Sequence, residues 1–261
     1  MNYTVNASIL LTELPITERP AAVRAAGFDA VEFWWPFSSA VPAQEEIDAF
    51  VAAIQDAGVQ LTGLNFFAGD MPTGDRGLVS WIGREDEFRA NVEVVVAIGE
   101  RLGTKAFNAL YGNRIEGVDA QVQDDLAVQN LAIAGAAVAK IGGIVLLEPV
   151  SGMDAYPLKT AADALAIIAR VADEHGVDNV KLLADFYHLA VNGDDVAAVV
   201  ADHAAEFGHI QIADAPGRGE PGTGDLPLAQ WIADAQAGGY AGPIGLEYKA
   251  TQADPFAWIQ N

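Results

Sequence analysis

Short β-rich runs and helical stretches alternate eight times along this chain, with no break in composition between them. Strand-like segments fall near residues 4–10, 29–33, 59–65, 105–110, 143–148, 180–185, 208–213 and 243–247. Helical candidates lie between them, at roughly 17–26, 43–57, 85–102, 120–140, 159–174, 193–202 and 227–237. The stretch Glu85–Glu100 shows the pattern well, with apolar residues returning every three or four positions and acids at its start. Glycine closes several helices, at Gly27, Gly58, Gly103 and Gly176, where a left-handed stop is expected before the next strand. Such regular alternation predicts one (β/α)8 TIM barrel, a single α/β domain over residues 1–261, and the length is close to the ~250 residues usual for it. The rival architecture is an open doubly wound sheet, and no Gly-x-Gly-x-x-Gly follows the first strand to support it.

Charge and composition narrow the function classes. With 36 acidic and 14 basic residues the net charge is −22, which argues against nucleic acid as a partner. There is no cysteine, so thiolate nucleophiles, disulfides and cysteine zinc sites are excluded. The opening residues lack a basic n-region and an apolar h-region, and no run approaches the ~20 apolar residues of a membrane span. A soluble cytoplasmic protein is therefore the expectation, with no membrane partner.

Four strand ends carry oxygen-bearing side chains. Gly142-Gly-Ile-Val-Leu-Leu-Glu148 and Gly242-Pro-Ile-Gly-Leu-Glu247 are apolar runs that finish on glutamate; Asp185 ends the sixth run, and Gln211 lies on the seventh. Burying an ionised carboxylate is costly without a partner or a metal. In a barrel these strands are consecutive, so three acids would face one another across one arc of the rim and repel. A divalent cation removes that repulsion, and three carboxylates with an amide favour Mg²⁺ or Mn²⁺ over zinc. Glu148, Asp185, Gln211 and Glu247 are thus the candidate metal ligands.

Other polar residues fall around this arc. His188, three residues beyond Asp185, is a candidate substrate contact or proton shuttle. His209 shares the side of Gln211 one layer deeper, and Glu32 is a candidate partner for a histidine or arginine. The segments 66–84 and 212–226 are long enough to be lid or substrate loops at the barrel mouth. The second holds Arg218 among glycines, as either a flexible turn or a carboxylate clamp, with Arg84 and Arg76 as further cations. The run Phe33-Trp34-Trp35-Pro36-Phe37 exceeds what one core can absorb. Its surplus suits an apolar wall around a small ligand or a contact in a homo-oligomer.

Taken together, several stretches resemble the hydroxypyruvate isomerase family of the xylose-isomerase-like barrels. They are Ala26–Phe33, Phe67-Ala-Gly-Asp70, Gly83-Arg-Glu-Asp-Glu-Phe-Arg89, Leu147-Glu148-Pro149, Asp185-Phe-Tyr-His188, His209-Ile-Gln-Ile-Ala213 and Pro216-Gly-Arg-Gly-Glu-Pro-Gly-Thr-Gly224. The likeness implies interconversion of hydroxypyruvate and tartronate semialdehyde, with Glu148 and Glu247 as the proton-transfer pair. It also implies the same four metal ligands, with Gln211 where related epimerases carry histidine, and a small 2-oxo or hydroxy acid as substrate. The same family includes 2-oxo-tetronate isomerases, and sugar isomerases and epimerases lie nearby. Phe186 departs from the aliphatic residue expected between Asp185 and Tyr187. A nuclease of this barrel type would need more than the four histidines present and a basic groove. A non-catalytic sugar-acid binding protein is the remaining alternative from another class.

Overall fold

Eight parallel strands close into a barrel in chain order, in a computed structural model that describes residues 2–260. They are β1 (Tyr3–Asn6), β2 (Ala30–Phe33), β3 (Gln60–Asn65), β4 (Ala106–Asn108), β5 (Ile144–Leu147), β6 (Val180–Asp185), β7 (Phe207–Ile212) and β8 (Ile244–Leu246). Closure is made by β1 against β8, with Tyr3 opposite Ile244 and Val5 opposite Leu246. All eight predicted strands are present. The first is shorter than its apolar run, because the amides of Ile9 and Leu10 turn back onto the Asn6 carbonyl. Leu10 still reaches the core, so the run records burial rather than strand length.

The outer layer is formed by α1 (Arg19–Ala25), α2 (Gln44–Ala57), α3 (Glu85–Leu102), α4 (Ala120–Ala139), α5 (Ala161–His175), α6 (Phe186–Val191), α7 (Val196–His203) and α8 (Leu228–Ala237). Helix α3 buries Phe88, Val92, Val95 and Ile98 on one stripe, as its spacing predicts. Gly58, Gly103 and Gly176 end their helices in the left-handed region, at φ of 66°, 70° and 67°. The predicted helix over 193–202 is in fact preceded by a second short one. Asp185 ends β6 and also accepts from the amides of Tyr187 and His188, so Asp185-Phe-Tyr-His188 turns straight from strand into α6. Phe186 is fully buried and packs edge-on against Trp231, 5.8 Å between ring centres, which gives its bulk a place behind the site.

The strands turn apolar side chains towards the helices and gather polar ones at the mouth of the barrel. Val5, Val31, Leu61, Phe107, Val145 and Leu182 are buried among the core residues, whereas the carboxyl ends of the strands carry Asn6, Asn65, Asn108, Glu148, Asp185, Gln211 and Glu247. That end is where barrels of this kind assemble their sites, from several strands at once. No helix among the described residues is long and apolar enough to cross a membrane.

Candidate active site

Glu148, Asp185 and Gln211 share one design, in which the fold anchors each through one atom and leaves another for a ligand, whereas Glu247 is held through both oxygens. Glu148 accepts from Asn108 Nδ2 at its Oε2 (2.7 Å), and its backbone carbonyl accepts from the Tyr156 hydroxyl (2.8 Å). Asp185 spends Oδ1 on the amides that open α6, and its buried Oδ2 has no hydrogen-bond partner. Gln211 donates through Nε2 to Glu32 and to Glu247, both at 2.6 Å, while its buried Oε1 is unpartnered. Glu247 accepts at Oε2 from Asn6 Nδ2 (2.7 Å) and Gln211, leaving Oε1 to Arg218 (2.6 Å). Buried polar atoms rarely lack partners, so the orphaned oxygens of Asp185 and Gln211, with that of Asn108 nearby, fit a cation beside the carboxylates.

His188 completes the group on one side. It is buried, and its Nδ1 accepts from the Ser151 amide at 3.1 Å, which puts the ring proton on Nε2. Nε2 lies 3.7 Å from Asp185 Oδ2 and 3.9 Å from Glu148 Oε1. Burial, opposed in part by Asp185, pushes the imidazole pKa down to about 4, so the ring is neutral near pH 7. Glu148, Asp185 and His188 offer donor atoms within 4.8 Å of one another and could hold a metal ion. Gln211 and Glu247 sit beside this group, and the Arg218 guanidinium spans the gap, 2.6 Å from Glu247 Oε1 and 3.7 Å from Asp185 Oδ2.

Arg218 is therefore inside the site. Its backbone adopts a left-handed φ of 61°, uncommon for a residue with a side chain, and its carbonyl accepts from the Lys249 amide (2.7 Å). The surrounding loop is tied down. Asp214 receives the amides of Ala215, Gly222 and Leu226, and Glu220 receives Thr251 through amide and hydroxyl. The guanidinium also lies over the Tyr187 ring, 5.4 Å from its centre. Arg84 is held by Glu87 and Asp75, and Arg76 by the carbonyls of Met71 and Asp75, so neither substitutes for it in this arrangement.

Both glutamates hold their protons more tightly than usual. Burial raises Glu148 well above 4.5, and the charges of Glu247 and Asp185 add to this. Burial likewise raises Glu247 to about 8, with Arg218 opposing and Asp185 and Glu32 reinforcing the shift. Arg218 is itself raised, because the attraction of Glu247, Asp185 and Glu148 outweighs the burial that acts against it.

Beneath the rim, His209 Nε2 meets Glu32 Oε2 at 2.8 Å, which gives Glu32 the kind of partner its sequence position suggested. Sequence reasoning missed Asn6, Asn108 and Ser151, and it offered Trp34 only as part of an apolar wall, whereas its side chain also acts on the Glu247 carboxyl. The signal for the two asparagines was present, since each is the last residue of its strand, as Asp185 is. A cavity of about 370 Å³ over the site is lined by Glu148, His188, Arg218, Glu247 and Trp34, among others. Through Trp34, Asn65, Met71 and Pro72 it adjoins a larger one of about 860 Å³, walled by Trp35, Phe37 and Phe67. The aromatic surplus thus splits, with Phe33 and Phe66 in the core and the remainder at this mouth.

Comparison with known proteins places this geometry. Residues 20–261 match the family model described as the xylose isomerase-like TIM barrel. A relative from Streptomyces coelicolor, provisionally named a hydroxypyruvate isomerase, is 51% identical over 98% of this chain and 95% of its own. A 2-oxo-tetronate isomerase from Cupriavidus necator is 33% identical over 95% of this chain and 92% of its own. The crystal structure titled AP endonuclease, family 2, from Brucella melitensis aligns with a TM-score of 0.89 at 28% identity, covering 100% of this chain and 98% of that one.

Proposed function

The chain belongs to the xylose isomerase-like TIM barrel family, and from that premise we propose that it is the isomerase that interconverts hydroxypyruvate and tartronate semialdehyde (2-hydroxy-3-oxopropanoate). The single observation that carries this reading is the set of strand-end oxygens, with Asp185 Oδ2 and Gln211 Oε1 buried and unpartnered. The donor set suits a hard divalent cation, Mg²⁺ or Mn²⁺, held by Glu148, Asp185, Gln211 and Glu247. Such a cation would supply the positive charge that offsets an enediolate.

The chain's own groups supply the rest. One glutamate takes the proton from the hydroxymethyl carbon of hydroxypyruvate, and the electron pair forms the enediolate. The hydroxyl proton on that carbon passes to the oxygen of its neighbour, and the other glutamate returns a proton to the neighbouring carbon, leaving an aldehyde where the alcohol stood and a hydroxyl where the ketone stood. Carboxyls with raised pKa values suit both roles, because proton transfer is efficient when donor and acceptor are matched to the working pH. His188 offers its neutral Nε2–H to a substrate oxygen. As a donor in that tautomer, it is less suited to ligation than the four oxygens. Arg218 faces the substrate carboxylate, a pairing that favours an anion in a chain of net charge −22.

A metal-linked pH dependence follows, and its sign is fixed by the shifts. Glu148 and Glu247 are raised in the fold, so their contribution is full below the ordinary 4.5 and is lost as pH rises towards about 8. Metal-stripped protein should lose thermal stability across that window. Mn²⁺ competes with those protons, so its stabilisation should grow with pH. At about 100 times its dissociation constant, an increase in melting temperature of ~5–10 °C is expected. A stabilisation that shrinks between mildly acidic pH and pH ~8 would remove the metal from these carboxylates.

A four-carbon 2-oxo acid is the second reading, favoured by the adjoining cavity of about 860 Å³, which offers room beyond the site for a longer chain. Turnover of hydroxypyruvate, 2-oxo-tetronate and longer ketoses with Mg²⁺ or Mn²⁺ decides between them. The first reading predicts the highest kcat/KM on hydroxypyruvate, and preference for 2-oxo-tetronate would transfer the assignment. Activity on neither would sink both. Nuclease chemistry gains no support from the site, where His188 is the one histidine among the described residues that joins the Glu148 and Asp185 cluster.

A further inference from the structure

We propose that Glu32 is a positioning residue for the metal site, fixing the Gln211 amide so that its oxygen is presented to the cation. This rests on the proposed metal set, but the geometry behind it stands apart from the identity of the substrate. Gln211 uses both hydrogens of Nε2, one on Glu32 Oε1 and one on Glu247 Oε2, each at 2.6 Å. A half-turn of the amide would bring its carbonyl oxygen against two carboxylate oxygens at that separation. With both carboxylates ionised, as cation binding requires, acceptor would face acceptor twice, so the amide has one orientation. Oε1 is then the atom left buried and unpartnered.

Glu32 is held in turn by the layer below. His209 Nε2 meets its Oε2 at 2.8 Å, and Asn6 Nδ2 donates to its Oε1 at 3.2 Å. Room for the cluster comes from Gly245, where a Cβ would lie 2.7 Å from Gln211 Cγ and 2.8 Å from Glu32 Oε1. Asn6 also donates to Glu247 Oε2, so Glu32 and Glu247 are cross-tied. Glu247 has ligand and proton-transfer duties of its own, whereas Glu32 does not line the cavity over the site. Partners that orient a ligand in this way typically affect metal affinity when they are altered.

Two substitutions separate orientation from charge. Glu32→Gln removes the charge but keeps a carbonyl oxygen for Gln211, with its amide nitrogen turned to His209 in the other tautomer. Glu32→Asp keeps the charge but draws the carboxylate back by one methylene. Metal-stripped wild type and both variants would be titrated with Mn²⁺ by calorimetry, with thermal melts of the metal-free proteins alongside. Glu32→Gln should bind Mn²⁺ within about threefold of wild type, and Glu32→Asp about 10–100-fold more weakly with a melt that stays cooperative. Wild-type affinity in Glu32→Asp would overturn the proposal. So would equal weakening in both variants, or weakening in Glu32→Gln alone, since charge would then be what matters. If wild type itself binds neither Mn²⁺ nor Mg²⁺, the metal reading fails first and the positioning role falls with it.

Discussion

Glu148→Gln and Glu247→Gln are each expected to fold and to lose isomerisation by about 10²–10⁴-fold, the usual worth of a positioned acid or base. The substitutions retain shape and the contacts to the two asparagines, although Glu247→Gln puts an amide nitrogen where an oxygen accepts from Arg218. In Glu148→Gln the new amide oxygen can still accept from Asn108, and in Glu247→Gln it can still accept from Asn6. Neither amide can carry a proton between carbons. Both wild-type carboxyls are buried and raised in pKa by that burial, so their neutralisation should not cost the metal-free fold stability near neutral pH. Steady-state rates on hydroxypyruvate, read beside thermal melts, check the pair. Normal turnover in either variant would remove that glutamate from the proton-transfer scheme.

The second large effect is at Arg218. Arg218→Ala should cost ~2–4 kcal/mol of transition-state stabilisation, in the range for losing one partner of a buried charge pair. Arg218→Lys should fall between, because lysine keeps the charge and loses the planar fork. The guanidinium now lies on Glu247 and Asp185, so substrate entry must exchange at least one of these contacts for the incoming carboxylate. Its loop is anchored through Asp214 and Glu220, which confines that exchange to the side chain. Kinetics on hydroxypyruvate with metal analysis would test this. Full activity in Arg218→Ala would show that the carboxylate is bound elsewhere, and loss of bound metal would show that Arg218 supports the ligands instead.

The fold was legible because eight strand–helix units leave little freedom once connections must be short and right-handed. The boundaries that moved did so for local reasons. Asp185 caps a helix that no apolar period announces, since α6 has only six residues. The amides after Asn6 turn back sooner than their apolar side chains imply. Within the site, the strand-end acids stood out because charge inside an apolar run demands explanation. The residues that hold them did not. Asn6 and Asn108 are neutral and short, and although each ends its strand, its purpose appears only when the adjoining strand brings Glu247 or Glu148 beside it. Arg218 was identified as a cation near the mouth, but its contacts with Glu247 and Asp185 depend on a left-handed backbone that sequence does not reveal.

Proton transfer between two separate glutamates has one direct signature. The group that takes the proton is not the group that returns it, so the returned proton must come from solvent. Wild type would be incubated with hydroxypyruvate and Mn²⁺ in D₂O, with an enzyme-free control, and the product followed by NMR at early turnover. Close to one deuterium on the receiving carbon per turnover is the predicted result. A product formed without solvent deuterium would contradict the two-glutamate scheme.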